Sequence, residues 1–161
     1  MEVKTSLQIT TTAFKDGERI PDRYTCKAEN HSPPLIWNPV GKPVKSWALV
    51  VEDPSAARGV FTHWLIYNIP AEITSLPEAV PTLQKLQNGA LQGQNDAMKV
   101  GYTGPCPPPG PVHYYHFNLY ALDSLLSLPA GASPKQVREA IRGHIISQGK
   151  LVGMYQSSQH H

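Results

Sequence analysis

Three stretches of the chain are apolar, or alternate between apolar and polar positions, and are bounded by Pro, Gly or Asp: SWALVVED (46–53), THWLIYNI (62–69) and HYYHFNLYAL (113–122). Runs of this length, rich in β-branched and aromatic residues, predict strands. The first two are apolar at nearly every position, as central strands covered on both faces are, whereas the third alternates. SLQITTTAF (6–14) and KLVGMYQ (150–156) predict two more. SPKQVREAIRGHII (133–146) has a different period. Ser133 is placed to cap it, Pro134 suits the first helical position, Gln136 completes a capping box, and Val137, Ala140, Ile141, His144 and Ile145 share one face. LPEAVPTLQKLQNGALQGQND (76–96) is weakly patterned and reads as mostly loop, and no internal repeat or linker interrupts the chain. The expected fold is all-β dominated, a β-sandwich with one or two packed helices, in a single domain over residues 1–161.

Strand parity distributes the polar side chains. Successive residues of a strand face opposite sides, so His113, Tyr115, Phe117, Leu119 and Ala121 share one face, and Tyr114, His116, Asn118 and Tyr120 the other. The same count places His63 with Leu65, Tyr67 and Ile69, and Asp53 in line with Trp47, Leu49 and Val51 at the end of its strand. Titratable groups therefore stand at the mouths of apolar strands. A polar group turned toward a core costs roughly 1–3 kcal/mol unless it is hydrogen-bonded. These groups are expected to satisfy one another, or to meet water or a ligand, in a small polar pocket at the sheet rim. His116 falls on the outer face with Tyr114. His31 and His144 read as structural.

Composition sharpens this picture at one place. The 16 prolines are about twice the average usage and cluster between apolar runs, as turn punctuation does. The densest cluster lies in GYTGPCPPPGPVHYYHFNLYALD (101–123), directly before His113 and Tyr115. Proline lowers the entropy lost on ordering such a loop, and glycine permits close approach of a ligand to the backbone. Gly104 and Pro105 are therefore placed with the candidate anion site. With 14 Lys and Arg against 12 Asp and Glu, and no basic run, the chain lacks the electrostatic footprint that nucleic acid requires. No window reaches the roughly 18 apolar residues of a membrane span, and the first residues lack an apolar targeting core; a cytoplasmic protein without integral membrane association is expected. Cys26 and Cys106 are too few for a disulfide framework and wrongly spaced for a zinc ribbon. They read as small, semi-buried side chains, with a single bridge between them left open. The terminal QHH resembles a tag remnant, and His160 and His161 are left out of the site.

Taken together, LVVEDPSAARGVFTHWLIYNIP, NGALQGQND, GYTGPCPPPGPVHYYHFNLYALD, GHIISQGKLVGMY and RYTCKAENHSPPLIW resemble the phosphatidylethanolamine-binding protein family (Raf kinase inhibitor protein-like), in its short prokaryotic branch. The resemblance covers nearly the whole chain in order. It implies a sandwich with a large central sheet, a smaller second sheet, peripheral helices, and an anion-binding pocket at one end of the large sheet. In the family that pocket is lined by the Asp of a DP motif, the His of an HW step, and the His and Tyr of an HRY motif, which match Asp53, His63, His113 and Tyr115. Two departures stand out. The usual DPDAP is DPSAA here, with Ser55 in place of a carboxylate and Ala57 in place of a proline, and the Arg of HRY is Tyr114. By parity Tyr114 points away from the pocket, so these changes bear on large partners more than on the anion site.

The residue types suit anion capture: two imidazoles and a phenol donate, and Asp53 orients an imidazole or accepts from an ammonium headgroup. Expected ligands are phosphate, phosphoethanolamine or a carboxylate, with no cofactor and no metal. A hydrolase would need an activated nucleophile, and neither a G-x-S-x-G elbow nor a Ser adjacent to the histidines is present. Asp53, His63 and His113 are acceptable zinc ligands, but no H-x-x-x-H or C-x-x-C spacing supports a site. The remaining alternative is an interaction protein that inhibits a protease or a kinase, as relatives do.

Overall fold

The computed structural model describes residues 7–38, 40–56 and 59–157; Ser6 of the expected first strand, Ala57, His160 and His161 lie outside them. The order along the chain is β1 (Ile9–Thr10), a 3-10 turn (Asp22–Tyr24), β2 (Leu35–Trp37), β3 (Ser46–Asp53), β4 (Phe61–Pro70), β5 (Ser75–Leu76), β6 (Leu91–Gln92), β7 (His113–Leu122), α1 (Pro134–Ile141) and β8 (Ile145–Tyr155). A five-stranded sheet runs β6-β4-β3-β7-β8 and a three-stranded one β1-β2-β5, and every pairing between these strands is antiparallel.

β3 is apolar throughout because it is the middle strand and is covered on both sides. One face presents Trp47, Leu49 and Val51 to the small sheet, where Leu35, Trp37 and Leu76 meet them; the rings of Trp37 and Trp47 lie 5.8 Å apart. The other face presents Ala48 and Val50, with Leu65 and Tyr67 of β4, to Leu126, Val137 and Ile141. Burying Val137 and Ile141 contributes roughly 1.5–3 kcal/mol each. The capping box forms as expected: Ser133 accepts from Gln136 N, and the Gln136 side chain accepts from Ser133 N.

Three expectations are corrected. The helix stops at Ile141 and does not continue to 146. Gly143 takes φ 84°, a left-handed conformation that ends a helix at little cost for glycine, and Ile145 pairs with Leu122 at the start of β8. His144 thus leaves the helical face and pairs with Asp123 at 2.8 Å. The run at 6–14 shortens to Ile9–Thr10 because Thr11 Oγ1 accepts from Ala13 N and turns the chain away. The third correction is parity in β4. The β3–β4 register shifts twice, once between Trp47 and Leu49 and once between Val51 and Glu52. Each shift inserts an extra β4 residue, a bulge that resets which face the following side chains take. At the first, Asn68 has φ 54° and Ile69 joins the face packed on the small sheet, away from Leu65 and Tyr67. At the second the inserted residue is His63.

Candidate functional site

Asp53 ends β3, His113 begins β7, and Tyr115 follows it on the same face. His63 reaches them through its bulge. Val51 pairs with Trp64 and Glu52 with Thr62, so His63 has no opposite number and its ring turns to the face that parity would have denied it. There it lies edge-on to Tyr115, with centroids 5.1 Å apart, and 4.7 Å from the ring of Phe61. The four residues that the resemblance names therefore line one cavity of about 540 Å3 at the end of the large sheet. Phe61, Ala97 and the prolines 107, 108 and 111 make most of the remaining wall apolar.

The carboxylate of Asp53 is buried, 3% exposed, and accepts three hydrogen bonds. Its Oδ2 accepts from His113 Nδ1 at 2.6 Å, and its Oδ1 accepts from Ser55 N at 2.8 Å and Ser55 Oγ at 2.6 Å. Ser55, noted in the sequence only as a missing charge, thus holds the carboxylate in place through an Asp-x-Ser turn. His63 Nδ1 donates to the Thr103 carbonyl at 2.7 Å, an acceptor that fixes the proton on Nδ1. Burial pushes the His63 imidazole below its ordinary value; the Thr103 carbonyl and the charges of Asp53 and Asp96 oppose this in part. Burial, reinforced by the Asp53 charge, pushes the Tyr115 phenol up and keeps it a neutral donor. Tyr114, 46% exposed, points away, as parity required. His116 also lies outside the cavity, and burial with nearby Lys150 lowers its proton affinity.

The two loop residues have other duties. Gly104 lines the cavity, but its N–H is taken by Asn30 Oδ1 at 2.8 Å. A Cβ there would come within 2.2 Å of the Tyr24 carbonyl, so glycine is required here for the approach of the neighbouring segment. Pro105 is buried and is not among the residues lining the cavity; its carbonyl accepts from Cys26 N at 3.1 Å. The cysteines also depart from their semi-buried reading. Cys26 and Cys106 are exposed and joined in a disulfide, Cα–Cα 5.4 Å, and Cys106 forms part of the cavity wall. Sequence reasoning missed Phe61 and Thr103, and left this bridge open. The spacing of D-P-S was a usable signal for Ser55, whereas nothing local marks Thr103 as the partner of a histidine 40 residues away.

Among the described residues no group of three or more His, Cys, Asp or Glu is arranged to hold a metal ion, and no helix is long and apolar enough to cross a membrane.

A family model for phosphatidylethanolamine-binding protein matches residues 10–156. A UPF0098 protein of Methanothermobacter thermautotrophicus is 51% identical over 149 residues, which cover 92% of this chain and 98% of that protein. One from Pyrococcus horikoshii is 44% identical, covering 96% of this chain and 79% of its own. Among solved structures, a homologue of the phosphatidylethanolamine-binding proteins from Chlamydia trachomatis superposes with a TM-score of 0.85 at 37% identity, covering 95% of this chain and 99% of that one. E. coli YbcL, described as a member of the mammalian family, gives 0.86 at 31% identity, with 96% and 100% covered. Sheet order, the Asp53–His113 pair at the sheet end and matches over nearly the full length agree: this chain belongs to the phosphatidylethanolamine-binding protein family.

Proposed function

We propose that the cavity binds a small anion, the phosphate or carboxylate end of a ligand such as inorganic phosphate or phosphoethanolamine, and takes up a proton as it does so. One observation carries the reading. Both imidazoles commit Nδ1 to an acceptor, Asp53 Oδ2 for His113 and the Thr103 carbonyl for His63. Neither Nε2 has a protein partner among the described bonds, and neither is a sealed, unsatisfied atom. With Nδ1 already protonated, each Nε2 becomes a donor only when its ring is charged, and it then offers an anion a charge-assisted hydrogen bond. Tyr115 adds a neutral hydroxyl on the same wall. The apolar remainder of the wall lowers the local dielectric and strengthens each of these contacts.

The site binds and does not turn over its ligand. Ser55 Oγ, a hydroxyl of the same cavity wall that the sequence had not placed near the histidines, donates to Asp53 and is not paired with an imidazole base, as an activated nucleophile would be. Calorimetric titration with inorganic phosphate and with phosphoethanolamine tests the reading. His113→Ala should weaken binding at least tenfold, the cost of about 1.4 kcal/mol for one charged hydrogen bond. Unchanged affinity in a folded variant refutes it.

A further inference from the structure

The disulfide occupies an unusual place. Cys106 is exposed and lines the same cavity as Asp53, His63 and His113, while Cys26 lies on the neighbouring segment, also exposed. A structural disulfide is ordinarily sheltered by packing; here one of its two cysteines belongs to the wall of the cavity that the histidines furnish. A cavity of this volume is on the order of 10 Å across, so a group seated at the imidazoles lies within about that distance of Cys106.

The surrounding bonds keep the wall standing when the bridge opens. Gly104 N donates to Asn30 Oδ1, Cys26 N to the Pro105 carbonyl, Tyr102 Oη to the Tyr24 carbonyl, and Gln156 Nε2 to the Gly110 carbonyl. The loop is tied on both sides of Cys106 without help from sulfur. Opening the bridge therefore leaves the anion site in place, and a ligand can remain seated while the sulfurs exchange.

We infer that the cavity is a thiol–disulfide exchange site for low-molecular-weight thiols that carry an anionic group, with Cys106 the sulfur attacked. The inference rests on the anion-binding reading above. The anionic end occupies the His63 and His113 donors, which holds the thiolate against Cys106 and converts a bimolecular attack into a near-unimolecular one. The thiolate sulfur bonds to Cys106 Sγ, the Cys26–Cys106 bond breaks, and Cys26 leaves as a thiolate. One S–S bond is lost and one is formed, so no oxidant or reductant is consumed. Lys27, the next residue in the chain, carries a positive charge that favours the leaving thiolate. The attack on Cys106 and not on Cys26 follows from position, since only Cys106 lines the cavity.

The test presents the oxidised protein with 3-mercaptopropionate (anionic), 2-mercaptoethanol (neutral) and cysteamine (cationic) at equal thiolate concentration. Each rate is divided by the same thiol's rate with hydroxyethyl disulfide, which removes intrinsic nucleophilicity. N-ethylmaleimide quenches the exchange, and intact mass with peptide mapping locates each adduct. The expected result is a relative rate at least tenfold higher for 3-mercaptopropionate than for 2-mercaptoethanol, with the probe on Cys106 and maleimide on Cys26. Excess inorganic phosphate, and separately His113→Ala or His113→Gln, should abolish the preference for 3-mercaptopropionate over 2-mercaptoethanol. Equal relative rates for the three thiols, or a probe on Cys26, overturn the inference. Phosphate titration followed by the His113 imidazole resonances separates the two levels. Phosphate-dependent shifts without anionic preference overturn the exchange site alone, and the absence of shifts overturns the anion site and the exchange site together.

Discussion

Replacing Asp53 by Asn tests how the carboxylate governs the histidine beside it. Asn keeps Oδ1 as the acceptor for Ser55 N and Ser55 Oγ and puts an NH2 group where Oδ2 accepts from His113 Nδ1 at 2.6 Å. That NH2 needs a lone pair, so the His113 proton moves to Nε2 and the neutral ring becomes a donor toward the cavity. The negative charge of Asp53 disappears at the same time. An anion seated on Nε2 lies on the order of 7 Å from Oδ2, where an effective dielectric near 20 gives about 2 kcal/mol of repulsion. Its removal should tighten phosphate binding at pH 8 by roughly thirtyfold. At pH 6 the advantage should shrink or reverse, because an imidazole that donates from both nitrogens meets a carboxylate acceptor in the wild type and an amide donor in the variant. Calorimetric titration with phosphate at both pH values, at constant ionic strength and in buffers of different ionisation enthalpy, gives affinity and proton uptake together. The reasoning fails if Asp53→Asn weakens binding at pH 8, or if both proteins take up the same number of protons.

Stability should depend on His63. Its folded proton affinity lies below the ordinary value of 6.5, so the unfolded chain binds the proton first; the contribution is complete above that value and is lost as pH falls through the lower folded one. Melting temperature measured from pH 7.5 to pH 5 should therefore drop more steeply than in His63→Gln, and parallel curves would count against the assignment. Gly104→Ala drives a Cβ to 2.2 Å from the Tyr24 carbonyl and 2.5 Å from Asn30 Oδ1, backbone and a bonded side chain that cannot retreat cheaply. It should cost at least about 3 kcal/mol in urea denaturation and weaken phosphate binding by shifting the wall. A loss under 1 kcal/mol would show that the loop has more freedom than its bonds suggest. The disulfide spans a sequence separation of 80, for which chain entropy gives about 4.5 kcal/mol at most. Reduction should lower the denaturation midpoint, yet phosphate should still raise the melting temperature of the reduced protein, and loss of that response would mean that the bridge alone holds the cavity.

Local pattern determined much of this protein. The bounds of β3 and β7 were readable because a middle strand is apolar on both faces and β7 keeps its alternation from His113 to Leu122. The capping box of α1 was readable because Ser133, Pro134 and Gln136 act within one turn. Asp53, His113 and Tyr115 could be placed on one face because no bulge falls between them and the core residues of their strands. The family resemblance, carried by motifs spread along the chain, named His63 as well, although strand parity alone would have turned its ring to the helix side. What tertiary structure decided is where one chain segment meets another. The bulge at His63 is a mismatch of register between β3 and β4 and leaves no mark in β4 alone. Gly143 can end a helix or pass through a turn, and only the demand of β8 for a partner in β7 selects the stop at Ile141. Gly104 and Pro105 were placed at the site because glycine and proline in a loop signal close approach and stiffness; only the tertiary structure shows that they also meet Tyr24, Asn30 and Cys26, which lie more than 70 residues earlier. The pairing of Cys26 with Cys106, and of His63 with the Thr103 carbonyl, belongs to the same class, since a hydrogen bond or a disulfide depends on distance in space and residue pattern reports only distance along the chain.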